Sequence, residues 1–314
     1  MTGVKFSVVI PAYNQARLVV EKVRSVLNQQ HPAHEIIVVN DGSSDATAET
    51  LKQFGDSIKV INQPNAGRCL ARNAGIEQAT GDYVALLDHD DLFYTNTLSL
   101  YDRIIREHNY PTMLHGSAQG FQGEPAKIVA DEAELQVKSY PDFLSTYDYF
   151  SWIGCSGFVI KLDALRRVGG FFPHRFLFED VDLCLRLGTA SPFVKIFRPR
   201  TYLYRDLHEG SGTHSYEGNK EGISYLLQSE AEGRYPGGAA RQKDRLRIVM
   251  QYVRSFMLSA AYCGDVGEAM RLYGSTFVRQ IQLGKVKFLV GLPLLLGQGV
   301  CRKMLAVTKS RFTA

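Results

Sequence analysis

This 314-residue chain has a single tryptophan, few cysteines and no long uncharged stretch. Its five cysteines, Cys69, Cys155, Cys184, Cys263 and Cys301, are odd in number, far apart and never spaced as CxxC. That pattern argues against a disulfide framework and a cysteine-based zinc site, and it predicts a reducing, cytoplasmic setting. The opening MTGVKFSVVIPAYN lacks the charged, apolar and cleavage regions of a secretory leader, so secretion is not predicted. No GxGxxG follows the first strand-like run, which weakens the reading as a nucleotide-dependent oxidoreductase. Internal repeats and low-complexity linkers are absent as well. The 45% hydrophobic content is ordinary for a globular protein and suffices for one large domain, or a domain with an appendage.

What is present is unevenly distributed. From Arg241 onward there are 13 Lys+Arg against 3 Asp+Glu, whereas the preceding residues carry 23 against 29. A basic segment suits nucleic acid or an anionic bilayer, and the residues between the cations decide which. Residues 286–305, VKFLVGLPLLLGQGVCRKML, have an apolar centre with Lys285 and Lys287 at one end and Arg302 and Lys303 at the other. The uncharged run from Phe288 to Cys301 is shorter than the ~20 residues that span a bilayer, and Pro293 with three glycines weakens a straight helix. The predicted role is a peripheral anchor at the cytoplasmic membrane face, with no nucleic-acid partner; packing on its own domain or on a dimer partner is the alternative.

The first hundred residues alternate between two periodicities. Phe6 to Ile10, Glu35 to Val39, Ile58 to Ile61 and Tyr83 to Leu87 read as strands, and Ala16 to Leu27, Ala46 to Phe54 and Arg68 to Ala79 as helices. Such alternation predicts an α/β fold with a mostly parallel central sheet flanked by helices. Regularity fades after about Tyr110. Apolar spacing is helical again from Gln242 to Thr276 through Leu246, Val249, Met250, Val253 and Met257, which predicts a helical C-terminal appendage. The expected division is 1–220 and 221–314, with the first part split into a nucleotide-binding half, 1–110, and an acceptor half, 111–220.

Carboxylates follow the strand-like runs, where an open α/β sheet binds its ligand. Pro11-Ala12-Tyr13-Asn14 ends the first strand with a residue that lacks a backbone donor and then offers an aromatic face on which a base can stack. Asp41, before Gly42, is placed to accept from a ring N–H; the same Asp-Gly-Ser-Ser-Asp is also a common turn and cap. Asn65, Gly67, Arg68, Arg72 and Asn73 open a helix with two cations one turn apart, able to face a phosphate or to buttress carboxylates. Asp88, Asp90 and Asp91, with His89 among them, are three acids in four residues that repel one another unless a cation offsets them. Hard oxygens suit Mg²⁺ or Mn²⁺ bridging to nucleotide phosphates; an exposed acidic turn is the plain alternative. Glu179 and Asp180 open a further helix, where a carboxylate stays ionised and either serves as a general base or simply caps.

Taken in order, IPAYN, VVNDGSSD, NAGRCLARN, GDYVALLDHDD, GCSGFVIK with GGF, and FEDVDLCLRL resemble the inverting nucleotide-sugar glycosyltransferases of family 2, with the GT-A fold, from about Phe6 to Thr213. The resemblance implies that Asp41 contacts the base, Asp88 the ribose or sugar and Asp90 the metal, while Asp180 deprotonates the acceptor. By the same likeness His208 approaches the metal or diphosphate. Pro11, Ala12, Tyr13, Asn14, Asn65, Gly67, Arg72 and His89 would complete the nucleotide-sugar site, with Trp152 and Glu179 facing the acceptor. Many family members carry Asp where Asn40 stands. The implied reaction moves a sugar from a nucleotide diphosphate-sugar, UDP-linked by preference, to a saccharide or lipid-linked saccharide in surface polysaccharide or glycan synthesis. Transfer to polyprenyl phosphate and a non-catalytic sugar-nucleotide-binding homologue are the competing readings.

Overall fold

Phe6–Ala12 (β1) and Glu35–Asp41 (β2) are apolar at most positions, and every residue but Glu35 is buried. Strands covered on both faces need such continuous runs. The computed structural model describes residues 3–88, 90–123, 128–146, 154–173, 177–205, 215–285 and 288–290. The remaining strands are Lys59–Gln63 (β3), Tyr83–Leu86 (β4), Leu92–Phe93 (β5), Met113–His115 (β6), Ala118–Phe121 (β7), Gln136–Tyr140 (β8), Phe158–Lys161 (β9), Phe193–Arg198 (β10) and Tyr202–Arg205 (β11). Eight form one sheet in the order β3-β2-β1-β4-β9-β6-β10-β8, and β5-β11-β7 form a small second sheet. In the large sheet β9 runs antiparallel to both neighbours, β8 is antiparallel to β10, and the other pairs are parallel.

The strand β1 continues through Pro11, where the sequence predicts a stop. Leu87 N donates to Val9 O at 3.1 Å, so residue 11, two positions on, directs its missing donor toward the same neighbour. There β4 has already left the ladder, its register with β1 ending at Val9 and Leu86. On the other side Pro11 stays paired with Val39 of β2. A proline is tolerated in a strand where no partner needs its N–H.

Leu18–Leu27 (α1), Thr47–Leu51 (α2), Arg68–Gln78 (α3) and Thr97–Glu107 (α4) fill the connections of this half. The second predicted helix is short because the chain turns into a 3-10 segment at Lys52–Ser57, with Gly55 at φ 48°. α3 approaches the sheet so closely at Gly75 that a Cβ there would lie 2.4 Å from Val9 Cγ1. Because β1, β2 and β4 run in parallel, their C-terminal ends share one edge. The N-terminal end of the reversed β9, with Cys155–Gly157 before it, lies at that same edge. Leu162–Arg167 (α5) follows β9, and Glu179–Arg186 (α6) carries the last acidic motif.

The chain divides into two compact units at Ser211 and Gly212. The second contains Tyr216–Ala231 (α7), Gln242–Cys263 (α8) and Val266–Gln282 (α9). The stripe read from the sequence, Leu246, Val249, Met250, Val253 and Met257, is buried. The predicted helical run from Gln242 to Thr276 is two helices. Gly264, at φ 86°, ends α8 in the left-handed conformation, and Asp265 caps α9 by accepting from Glu268 N at 3.0 Å. Glycine carries no steric penalty in that conformation. Arg245 of α8 and Glu230 of α7 form a buried ion pair at 2.7 Å, and Arg245 also donates to the carbonyls of Pro236 and Gly238.

Candidate active site

The carboxylate of Asp41 closes β2 and is buried. Its Oδ1 accepts from Gln63 Nε2 at 2.7 Å and from Ala66 N at 2.9 Å, while Oδ2 accepts from Gly67 N at 2.9 Å. A carboxylate offers about four acceptor positions, so Asp41 retains capacity for one further donor. Gly42 holds the turn that follows at φ 72°, and a Cβ on it would meet Asn65 N at 2.5 Å. Beside it, Pro11 and Ala12 are buried and Tyr13 is 47% exposed. Asn14, also at positive φ, donates its N–H to Ser43 Oγ at 3.0 Å and accepts from Ser44 N at 2.8 Å. Its side chain therefore ties two loops together at the sheet edge. Asn65 is exposed.

The two cations of α3 buttress carboxylates. Arg72 is buried, with Nε and Nη2 on Asp88 Oδ1 at 3.2 and 2.5 Å and Nη1 on Glu179 Oε1 at 3.1 Å. Its guanidinium also lies 4.9 Å over the Phe171 ring. Arg68 meets the same Glu179, Nε to Oε1 at 2.6 Å and Nη2 to Oε2 at 3.0 Å. Glu179, expected to face an acceptor, is buried with both oxygens on arginines, which is how α6 is fastened to α3. Burial works against its charge, but Arg68 and Arg72 outweigh it and hold the carboxyl below its ordinary range. Asn73 completes the attachment, donating to Phe171 O at 2.8 Å and accepting from Phe171 N at 2.7 Å.

Ser156, in the turn before β9, organises the acidic loop. Its Oγ accepts from Asp88 N at 2.8 Å and donates to Asp91 Oδ2 at 2.5 Å. Burial, then the charges of Asp90 and Asp88, push the Asp91 carboxyl well above its ordinary range. Asp91 Oδ1 is buried with no hydrogen-bond partner. Arg205 approaches from β11, with Nη2 on Glu21 Oε2 at 2.7 Å and Nε on the carbonyl of Asp90 at 3.4 Å. Lys22 of α1 is fully buried and donates to Gln15 Oε1 at 2.6 Å. Burial lowers its pKa to about 7 against the opposing pull of Asp90, Asp88 and Asp91.

Asp180 sits in the first turn of α6, after Phe178 at φ 71°. The sequence predicts an ionised carboxylate held down by the helix terminus. Burial, followed by the neighbouring Glu179 charge, instead pushes its pKa up to about 7, although Val181 N donates to Oδ1 at 2.7 Å and Arg72 opposes the rise. The residue as a whole remains partly accessible. A base of that pKa takes a proton efficiently near neutral pH. Among the described residues no group of three His, Cys, Asp or Glu side chains could hold a metal unaided. Mg²⁺ needs only one or two carboxylates, with phosphate and water completing its shell. Asp88 and Asp90 carry hard oxygens of that kind, and Asp91 beside them keeps one buried oxygen without a hydrogen bond. His89, Trp152 and His208 lie outside the described residues, as does all of 286–305 except 288–290.

Ser156 and Lys22 are the residues that reading the sequence missed. Lys22 stands in the apolar register of α1 with Val19, Val23 and Val26. That interruption was its only signal. Ser156 carries no signal beyond its place in GCSG.

Comparison with known proteins adds family to geometry. Residues 7–151 match the model described as glycosyl transferase family 2. An uncharacterized glycosyltransferase of Rickettsia bellii is 41% identical over 108 residues, 34% of this chain and 16% of that protein. The amylovoran biosynthesis glycosyltransferase AmsB of Erwinia amylovora is 28% identical over 239 residues, 72% of this chain and 78% of its own. The chain carries a family 2 glycosyl transferase domain, although it spans only 16–18% of the length of its Rickettsia bellii, Rickettsia conorii and Rickettsia felis relatives. Its fold is that of S. aureus TarS 1-349, with a TM-score of 0.66 and 19% identity, covering 86% of this chain and 80% of that one. The GT-A architecture implied by the sequence motifs is therefore the one observed.

Proposed function

We propose that the chain is an inverting, divalent-metal-dependent glycosyltransferase. It moves a sugar from a UDP-sugar to a hydroxyl of a saccharide or lipid-linked saccharide, in surface polysaccharide or glycan synthesis. The observation that carries this reading is the pairing of a partly accessible Asp180, poised at about pH 7, with an Asp88 tied through Arg72 to the same helix start. Asp41 accepts the base N–H while Tyr13 stacks on the ring, with Pro11, Ala12, Asn14, Asn65 and Gly67 shaping the cleft. Asp88 and His89 contact the ribose or sugar, and Asp90 with His208 would hold Mn²⁺ or Mg²⁺. The ion supplies charge neutralisation at the diphosphate leaving group. Asp180 takes the acceptor proton as the hydroxyl oxygen bonds to the anomeric carbon and the bond to the diphosphate breaks, its electrons leaving with the phosphate oxygen. Trp152 is assigned to contact the acceptor.

Two comparisons support the donor and pathway class: TarS was crystallised in complex with UDP-GlcNAc and with UDP, and AmsB is named for polysaccharide biosynthesis. Residues 1–110 serve the nucleotide sugar and 111–220 the acceptor. Residues 286–305 rest on the cytoplasmic membrane face; among the described residues no helix is long and apolar enough to cross a membrane. The test is a donor screen with purified chain, Mn²⁺ and a panel of nucleotide sugars, scored by nucleotide release. Transfer from a UDP-sugar that is lost in Asp180→Asn, with UDP binding kept, supports the reading. Absence of both turnover and binding across the panel refutes it.

A further inference from the structure

The helix α9 carries an exposed apolar face in addition to the face that is buried. Ala269, Leu272, Thr276 and Gln280 are buried, which accounts for the face that packs within the second unit. Met270, Phe277, Val278 and Ile281 are 46%, 38%, 64% and 50% exposed. At about 100° per residue these four fall within an arc of roughly 100° on the side opposite the buried face. Exposed large apolar residues in the first unit, such as Leu27, Val60, Tyr110 and Val129, are scattered along its sequence and form no helical stripe. A contiguous exposed apolar patch marks an interaction surface.

Charge indicates what covers it. Between Val266 and Val290 the sequence has one carboxylate, Glu268, against the cations Arg271, Arg279, Lys285 and Lys287. Glu268 is itself buried and paired with Arg271 at 2.6 Å. With Glu268 taken up by Arg271, this stretch keeps an excess of cations, Arg279, Lys285 and Lys287, a composition that suits a helix in the headgroup region of an anionic bilayer. A protein partner would need a dedicated acidic surface, whereas anionic lipid presents one everywhere.

We propose that the exposed face of α9, Met270, Phe277, Val278 and Ile281 with Arg271 and Lys285 at its margin, is a docking surface for an anionic lipid bilayer. This extends the membrane contact proposed for 286–305 to a separate element, and the test distinguishes the two. Full-length chain is sedimented with vesicles of phosphatidylcholine alone or with about a third phosphatidylglycerol. Val278→Glu/Ile281→Glu is compared with Leu294→Glu/Leu295→Glu in the tail, and each protein is also examined by light scattering and thermal melting. The inference expects binding to the anionic vesicles only, weakened at least tenfold by the α9 variant with its melting temperature unchanged. It is overturned if wild-type chain ignores both vesicle types, or if the α9 variant binds as wild type does. Loss of binding through the tail variant alone would leave the membrane reading standing and remove α9 from it. A wild-type dimer that the α9 variant dissociates, or a melting temperature that falls with binding unchanged, would show that protein covers the face and would equally overturn it.

Discussion

Replacing Glu179 by Gln should move the pH dependence of transfer in a direction fixed by the site. As the proposed base, Asp180 works only when ionised, and kcat/KM follows the free enzyme. In the wild type the acidic limb should therefore be centred at about pH 7, with activity rising as pH rises through it. Burial is the largest cause of that elevation and the Glu179 charge the next. Glutamine removes this charge and also releases Arg68 and one nitrogen of Arg72 from the carboxylate that now holds them, although Arg72 keeps Asp88. Both changes favour ionised Asp180, so the limb should move to lower pH by roughly one to two pH units, equivalent to about 1.4–2.7 kcal/mol. At pH 6 about a tenth of wild-type Asp180 is ionised, against half or more in the variant. The variant should therefore keep a larger share of its own plateau at pH 6 even if that plateau is lower. Nucleotide release measured from pH 5 to 9 at constant ionic strength reads this directly, with circular dichroism at pH 6 to confirm folding. An acidic limb that stays in place or moves to higher pH would refute the assignment of Asp180 and the electrostatic argument behind it.

Three further perturbations probe separate parts of the molecule. Ser156→Ala removes the hydroxyl that donates to Asp91 and accepts from Asp88 N, so denaturant unfolding should show a loss of about 1–3 kcal/mol. Arg72→Lys replaces a fork that reaches Asp88 and Glu179 together by a single ammonium; a loss of about 3 kcal/mol and at least a tenfold fall in kcat should follow, whereas unchanged values would show that one ion pair suffices. In the second unit Arg245→Met should cost about 3–5 kcal/mol by stranding buried Glu230, and Glu230→Leu combined with Arg245→Met should recover much of it; equal losses in both would point to lost packing instead.

The parallel core was legible because β-branched runs and short helical stripes repeat within single windows of sequence. β1, β2 and β4 could be read one at a time. The later strands β6, β9 and β10 have only three, four and six residues, and their order in the sheet depends on pairings between distant segments, which no local pattern encodes. The same distinction governs the site. Asp41, Asp88, Asp90 and Asp180 stand in recognisable motifs, yet the environment of each is set by residues far away in sequence. Arg72 reaches Glu179 across 107 positions, which is why Glu179 could be placed near the acceptor but not foreseen as a buried ion-pair partner. Lys22 was hidden because a lysine in an amphipathic helix ordinarily extends to water. The length of β1 is not legible locally, because tolerance of Pro11 depends on where β4 departs, a property of the neighbour.

The start of α3 is held by Asp41, through Ala66 and Gly67 N–H; its first residue, Arg68, holds Glu179, and one turn later Arg72 holds Asp88 and Glu179. A single rigid element thus connects the place where a base would be read to the place where a proton would be removed. Under the proposed assignment, a nucleotide that pulls poorly on Asp41 also leaves the proton acceptor poorly aligned. Donor identity would then be enforced twice, once as residence time in the cleft and again as the speed of the step that follows.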